Sequence, residues 1–240
     1  MSYLFNAFLY HPILNSLVFF YNTIAFKDLG IAIILTTILV RCVLFPVYQK
    51  VIRQQVLTAK IAPEVTRIQK EHKEDKEKQT KEILDLYKKN KVNPFYIIFA
   101  IIIQIPVFLA VWKVITTGTS SAIGDGLYSF VANPGTLNQM FLGLVSLSDK
   151  NLIFVIAAAL IQFFQSKMAS ATTPKPAEGA PKSPFSGNQL AVMMSIMTLV
   201  ILWNLPAAVS LYWITTTLFS VVQQWIVNIS IKNEELKGNN

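Results

Sequence analysis

Leu29-Gly-Ile-Ala-Ile-Ile-Leu-Thr-Thr-Ile-Leu-Val-Arg-Cys-Val-Leu-Phe-Pro46 is the stretch whose reading decides the fold. As a helix rising ~1.5 Å per residue, it approaches the ~30 Å of a bilayer's hydrocarbon core. Arg41 stands inside it, about 18 Å from Leu29 along such a helix and past the midplane. A guanidinium stays protonated in a protein. At the centre of a membrane helix it costs about 2.5–3.5 kcal/mol on insertion scales. An acidic partner, a water-filled cavity or escape to the interface must offset that cost.

The rest of the chain extends the membrane reading. Of its 240 residues, 53% are hydrophobic and 14% charged, against about 25% charged in soluble domains. The charge is concentrated in one stretch and nearly absent from several others, as in a polytopic membrane protein. Cys42 is the single cysteine, so neither a disulfide framework nor a Cys-based metal site is expected. The histidines, His11 and His72, lie outside the spans, and there is no HExxH, GxSxG or P-loop pattern. The expectation is therefore a non-enzymatic protein with no cofactor, no metal and no catalytic residue. The first residues lack a positive n-region, and no small-residue cleavage site follows, so no cleavable signal peptide is expected.

From these patterns the expected fold is an all-α membrane protein. It has five transmembrane helices, a cytoplasmic helical hairpin and an N-terminal interfacial amphipathic helix. Residues 1–28 form the extracytoplasmic interfacial segment. Pro12 suits a first helical turn. Leu14, Leu17, Val18, Tyr21 and Ile24 fall at helical spacing, with Asn15, Ser16 and Asn22 off that stripe. A spanning helix is the alternative there, and it would reverse the topology. The first span is 29–48 and the hairpin 49–93, turning near His72–Asp75. Its helices are read from Val51, Leu57, Ile61, Val65 and Ile68, then Ile83, Leu84 and Tyr87. The second span is 94–116, followed by an extracytoplasmic loop, 117–148. The third span is 149–167, a Pro-rich cytoplasmic loop covers 168–188, and the fourth span is 189–204. A turn and fifth span occupy 205–229, and a hydrophilic tail 230–240. The hairpin, the Pro-rich loop (Lys167, Lys175, Lys182) and the tail (Lys232, Lys237) fall on one side. The positive-inside rule makes that side cytoplasmic, with the N-terminus out and the C-terminus in.

Charge resumes after Arg41 at Lys50, about 13 Å further along a continuous helix, so snorkelling alone is strained. With the apolar part of the third span starting at Asn151, after Asp149, no Asp or Glu occurs in the apolar stretches of the other four spans, which leaves a hydrated cavity as the favoured reading. Thr36, Thr37, Gln104, Gln162, Gln165, Ser166, Ser210, Thr215, Thr216 and Thr217 supply polar groups within the spans, with Gln223 and Gln224 near the cytoplasmic end of the fifth. Each has a bland reading, since Thr bonds its own backbone and Gln joins helices. Together with the arginine they read as the lining of one groove. The hairpin's basic excess fits attraction to lipid headgroups or contact with ribosomes and emerging polypeptide. Its interleaved acids argue against nucleic-acid binding.

An ordered set of motifs points to a family. Ile38-Leu-Val-Arg41-Cys-Val-Leu-Phe-Pro46 comes first, then Ile61-Ala-Pro63-Glu-Val and Asp85-Leu-Tyr87-Lys-Lys-Asn-Lys-Val-Asn93-Pro94. Ile103-Gln104-Ile-Pro106-Val-Phe, Phe163-Phe164-Gln-Ser-Lys167-Met and Ser210-Leu-Tyr212-Trp213-Ile, with Gln223-Gln224, follow. From about Leu29 to Gln224 the chain resembles the YidC/Oxa/Alb family of membrane protein insertases, as a core domain. The resemblance implies insertion of nascent membrane protein clients into the lipid bilayer of a bacterial inner membrane, without nucleotide hydrolysis. It implies the ribosome and the Sec translocon as further partners, with no specific nucleic-acid sequence. It places Tyr212 and Trp213 near the client path, and Pro63, Tyr87, Asn93 and Pro94 in the cytoplasmic hairpin and its exit. The stretch Phe95-Tyr-Ile-Ile-Phe-Ala-Ile-Ile-Ile departs from the family, which commonly carries small residues and a proline there.

Overall fold

The computed structural model describes residues 3–93, 95–118, 126–170 and 187–238. Pro94, residues 119–125 of the extracytoplasmic loop and residues 171–186 of the Pro-rich loop, with Lys175 and Lys182, lie outside the described residues. The chain is an all-α membrane protein with one two-stranded sheet among the described residues.

Helix α1 runs over Tyr3–Thr23 with a π-helical stretch at Asn6–Tyr10. α2 is Leu29–Val43, α3 Phe45–Glu71 and α4 Lys76–Lys89. α5 is Phe95–Gly118, followed by β1 at Met140–Phe141 and β2 at Val145–Ser146. α6 is Leu152–Ser170, α7 Gly187–Leu202 and α8 Ala207–Gly238. α8 carries the expected fifth span on through most of the expected tail as one helix. By length and composition, Tyr3–Thr23, Leu152–Ala169 and Ala207–Glu234 are long and apolar enough to cross a membrane, and α2 with α3 qualifies as a broken span.

The expected continuous span over 29–48 is two helices. Leu44 leaves the helical region at φ −86°, ψ 2°, and its N–H donates to the Cys42 and Val40 carbonyls. Pro46 is the physical reason. It has no N–H to offer the Cys42 carbonyl, and it fits the first turn of a new helix. Alone, α2 is about 22 Å long.

The chain forms two compact bodies. The first comprises Met1–Phe45, Ile101–Ile161 and Ile196–Phe219; the second comprises Pro46–Ala100, Gln162–Ser195 and Ser220–Asn240. The first body's core joins α1 (Leu14, Val18), α2 (Leu29, Ile33), α5 (Val114), α6 (Val155) and α8 (Val209, Tyr212). Asn15, expected off the apolar stripe, is buried, whereas Ile24, expected on it, is exposed. The cause is the loop after α5. Asn15 Nδ2 donates to the Gly126 carbonyl at 2.9 Å and its Oδ1 accepts from Tyr128 N at 2.6 Å. Asn22 Nδ2 donates to the Ala132 carbonyl at 2.7 Å, and the Tyr21 hydroxyl accepts from Asn138 N at 2.8 Å. These groups hold a loop instead of facing water.

The β1–β2 hairpin folds against the start of α2. Asp28 caps α2 through Ile31 N at 2.9 Å, and its second oxygen accepts from Leu142 N at 2.6 Å. Gly30 faces the Phe141 ring so closely that a Cβ would overlap it. The N-terminus of α8 gives two of its free N–H groups to this region, Ala207 N to the Asp149 carbonyl and Ala208 N to the Leu147 carbonyl.

In the second body, α3 and α4 form the hairpin around Ile61, Ile68, Leu86 and Val92. Asp75 caps α4 through Lys78 N, and His72 Nε2 meets Glu82 at 3.0 Å across the turn. Pro63 lies within α3 without ending it. At the other end Val92 N donates to the Tyr87 carbonyl and Lys91 N to the Lys88 carbonyl, a Schellman ending with Lys91 at φ +53°. Asn93 then caps α5, its Oδ1 accepting from Phe95 N, while its own N–H donates to Gln54 Oε1. Tyr87 and Asn93 thus set the hairpin's exit. A second cluster, Ile52, Val56, Val227 and Ile231, joins the base of α3 to the far end of α8. Arg53 and Glu234 close it with paired hydrogen bonds of 2.9 and 2.6 Å.

Candidate functional site

Arg41 sits in the last turn of α2 and is 6% exposed. Its Nη2 donates to the Thr216 carbonyl of α8 at 3.0 Å. A hydrogen bond from a charged group contributes about 1.5–3 kcal/mol. A cation at a helix C-terminus gains about 0.3–1 kcal/mol more from the helix dipole. Together these approach the insertion cost of about 2.5–3.5 kcal/mol. A backbone carbonyl is a fourth way to offset the cost, beside an acid, a cavity or the interface. The break at Leu44 also means that no straight helix runs from Arg41 to Lys50.

Tyr212 lies one turn before Thr216, is 3% exposed, and feels the charge of Arg41. Gln104 of α5 donates from Nε2 to the Tyr212 hydroxyl at 3.0 Å. Phe108 stacks between these elements, 6.3 Å from Tyr212 and edge-on at 6.3 Å from Trp213. Ser210 Oγ and Trp213 Nε1 are buried without a hydrogen-bond partner among the described residues. Arg41, Gln104, Tyr212, Trp213 and Thr216 therefore gather in the first body as one polar and aromatic cluster.

Thr37 is buried, and its hydroxyl donates to its own helix at Ile33 O, 2.7 Å away. Thr36, Thr215 and Thr217 do the same at Ala32, Leu211 and Trp213. For these threonines the bland reading accounts for the hydroxyl.

Gln162 and Gln165 belong to the second body. Gln162 Nε2 donates to Gln165 Oε1 at 3.2 Å and to Ser166 Oγ at 3.1 Å, along α6. Gln223 and Gln224 of α8 are fully buried in that body, and Gln224 Nε2 donates to Asn228 Oδ1 at 2.9 Å. Asn228 was not singled out in the sequence; its four-residue spacing from Gln224 is the signal that could have found it. Among the described residues no group of His, Cys, Asp or Glu side chains could hold a metal ion.

The model of the 60Kd inner membrane protein family matches residues 19–234. The chain belongs to this family. Among similar proteins is a membrane protein insertase YidC from Alcanivorax borkumensis, 28% identical over 85% of this chain and 31% of its own length. A second, from Oleidesulfovibrio alaskensis, is 29% identical over 94% of this chain and 39% of its own length. A third, from Rickettsia conorii, is 27% identical over 90% of this chain and 38% of its own. This member of the 60Kd inner membrane protein family thus spans 31–39% of the length of the relatives it matches. The match contains both the Arg41 cluster and the hairpin.

Proposed function

We propose that this chain is the membrane-embedded core of a membrane protein insertase. It moves client transmembrane segments from the cytoplasm into the lipid bilayer through a hydrophilic groove containing Arg41, without nucleotide hydrolysis. The observation that carries the reading is the buried Arg41, held at a helix end beside Gln104, Tyr212 and Trp213 in a family whose relatives bear the insertase name. A client's apolar helix gains roughly 0.3–0.6 kcal/mol per Leu, Ile, Phe or Val on entering lipid. Its polar tail is the obstacle, because unsatisfied backbone groups are costly in hydrocarbon. A fixed cation part-way across lowers that barrier for acidic tails. In the first body Thr37, Gln104 and Thr216 line the path, and Tyr212 and Trp213 flank it where the apolar segment slides to lipid; Gln162 and Gln165 are client-contacting groups of the second body. The spans number five, α1 lies at the outer interface, and the chain sits in a bacterial inner membrane with the N-terminus out and C-terminus in. The hairpin around Pro63, Tyr87, Asn93 and Pro94 meets nascent clients, the ribosome and the Sec translocon.

The test is protease protection of a single-span client with an acidic N-terminal tail, using purified protein in liposomes. Wild type protects the client, Arg41→Ala loses most of that protection, and Arg41→Lys retains part of it. Equal loss in both variants would assign Arg41 a geometric role instead of an electrostatic one. Wild type no better than empty vesicles would overturn the insertase reading, and solute or ion flux in the same vesicles would put a small transporter in its place.

A further inference from the structure

Two bulky apolar residues stand outward where the backbone least favours them. Phe26, in the link from α1 to α2, has φ +52° and is 88% exposed. Leu142 has φ +52° and is 59% exposed, followed by Gly143 at φ +68° and by Leu144, which is 82% exposed. Leu144 N donates to the Phe141 carbonyl at 3.0 Å, so Phe141–Leu144 form the hairpin's turn. Two successive positive φ values mark the type I′ class of turn, whose first central position favours Asn or Asp. Leucine there is strained by its Cβ and, in water, exposes its side chain as well. Phe26 has both drawbacks.

One carboxylate brings the two sites together. Asp28 accepts from Leu142 N at 2.6 Å and from Ile31 N at 2.9 Å, so the turn is tied to the first turn of α2, two residues after Phe26. The Phe141 ring packs on Gly30 and lies 6.1 Å from Phe154 near the start of α6. The apolar tip is thus fixed where α2 begins its apolar run at Leu29 and α6 begins its own at Leu152. Next to it, Ile24 of the link and Leu152 and Ile153 of α6 are also exposed. The patch runs on into the exposed apolar residues Leu152, Ile153, Ile156 and Leu160 of α6.

We infer that Phe26, Leu142 and Leu144 form a lipid-interface anchor, inserted among the headgroup-proximal acyl segments of the leaflet at the membrane end where α2 begins. The occupant is lipid, because the patch is continuous with the exposed apolar residues at the start of α6 and its charged border suits headgroups. Lys27, next to Phe26, is exposed with its Nζ donating to Asn22 Oδ1 at 2.9 Å, a lysine at the rim of an apolar patch, while Asp28 is turned inward as a double acceptor. The anchor is a property of the fold and does not depend on insertase activity.

Spin-label accessibility tests this on the full chain in liposomes. A single nitroxide is placed at Phe26→Cys, Leu144→Cys or Thr136→Cys in a Cys42→Ser background, and collision with oxygen is compared with collision with a water-soluble nickel chelate. Thr136 is an exposed polar residue of the same loop. Labels at 26 and 144 are expected to show an oxygen-to-nickel ratio severalfold above that at 136. Equal ratios at all three sites would overturn the anchor. Exclusion of both reagents at 26 and 144 would also overturn it, in favour of a protein partner. Leu142→Asn, which suits the turn, is expected to lower the ratio at 144 while the one at 136 stays put; an unchanged 144 would remove Leu142 from the anchor.

Discussion

Arg41 and Tyr212 show how much depends on single polar atoms in an apolar interior. The Tyr212 hydroxyl accepts from Gln104 between α5 and α8. Tyr212→Phe removes that bond while keeping the ring against Phe108. The expected loss is about 0.5–1.5 kcal/mol of stability, measured by unfolding in mixed micelles. In Gln104→Leu the further loss from Tyr212→Phe should shrink, and a cycle that stays additive would show the bond to be idle. Lys91 is the opposite case, a residue whose side chain matters less than its backbone. It holds the αL position of a Schellman ending that normally takes glycine. Lys91→Gly is expected to stabilise the hairpin by up to about 1 kcal/mol, read as slower amide exchange at Val92. The bond from Arg41 to Thr216 could not be read from sequence, because every residue supplies a carbonyl and none announces itself.

At the scale of elements, the junction of α3 with the end of α8 sets burial against charge. Ile231 and Val227 are buried against Ile52 and Val56, whereas the Arg53–Glu234 pair is exposed to solvent. Truncating a buried isoleucine costs about 2–5 kcal/mol; exposed ion pairs contribute little and are screened by salt. Ile231→Ala should therefore free the end of α8 to proteolysis, while Glu234→Gln should leave its cleavage rate nearly unchanged at physiological salt. The hydrogen bond from Arg53 holds the Glu234 carboxyl below its ordinary range. Its small contribution is present above the ordinary glutamate range and fades as pH falls through the lowered value. The helices of the hairpin were legible because apolar periodicity survives a high density of charge. The division of 29–48 was legible too, in Pro46, but the apolar run on both sides hid it. The β1–β2 hairpin was not, since two-residue strands leave no periodic trace. Asn15 was misread because spacing assigns a residue to a face without saying what covers that face.

At the scale of the whole molecule, α1 decides on which side of the membrane the chain starts. Residues 1–26 contain no Lys or Arg, so the positive-inside rule is silent there. Length permits α1 to span. Its contacts argue otherwise. Near its start, Asn6 and Tyr10 meet Lys113, whose Nζ lies 3.9 Å from the Tyr10 ring centroid, close to the end of α5 at Gly118. Near its other end, Asn22 holds Ala132 of the loop that follows α5. Between them Asn15 holds Gly126 and Tyr128 of the same loop. Asn6 and Asn22 are about 24 Å apart along the helix, yet both meet chain at or beyond the same end of α5. A helix crossing the bilayer would reach that end once. Impermeant maleimide applied to spheroplasts, in a Cys42→Ser background, separates the two arrangements. Tyr3→Cys and Thr136→Cys should react in intact spheroplasts, and Lys76→Cys at the hairpin tip after lysis alone. Tyr3→Cys reacting after lysis alone, with Thr136→Cys still accessible, would make α1 a sixth span and place the N-terminus with the hairpin.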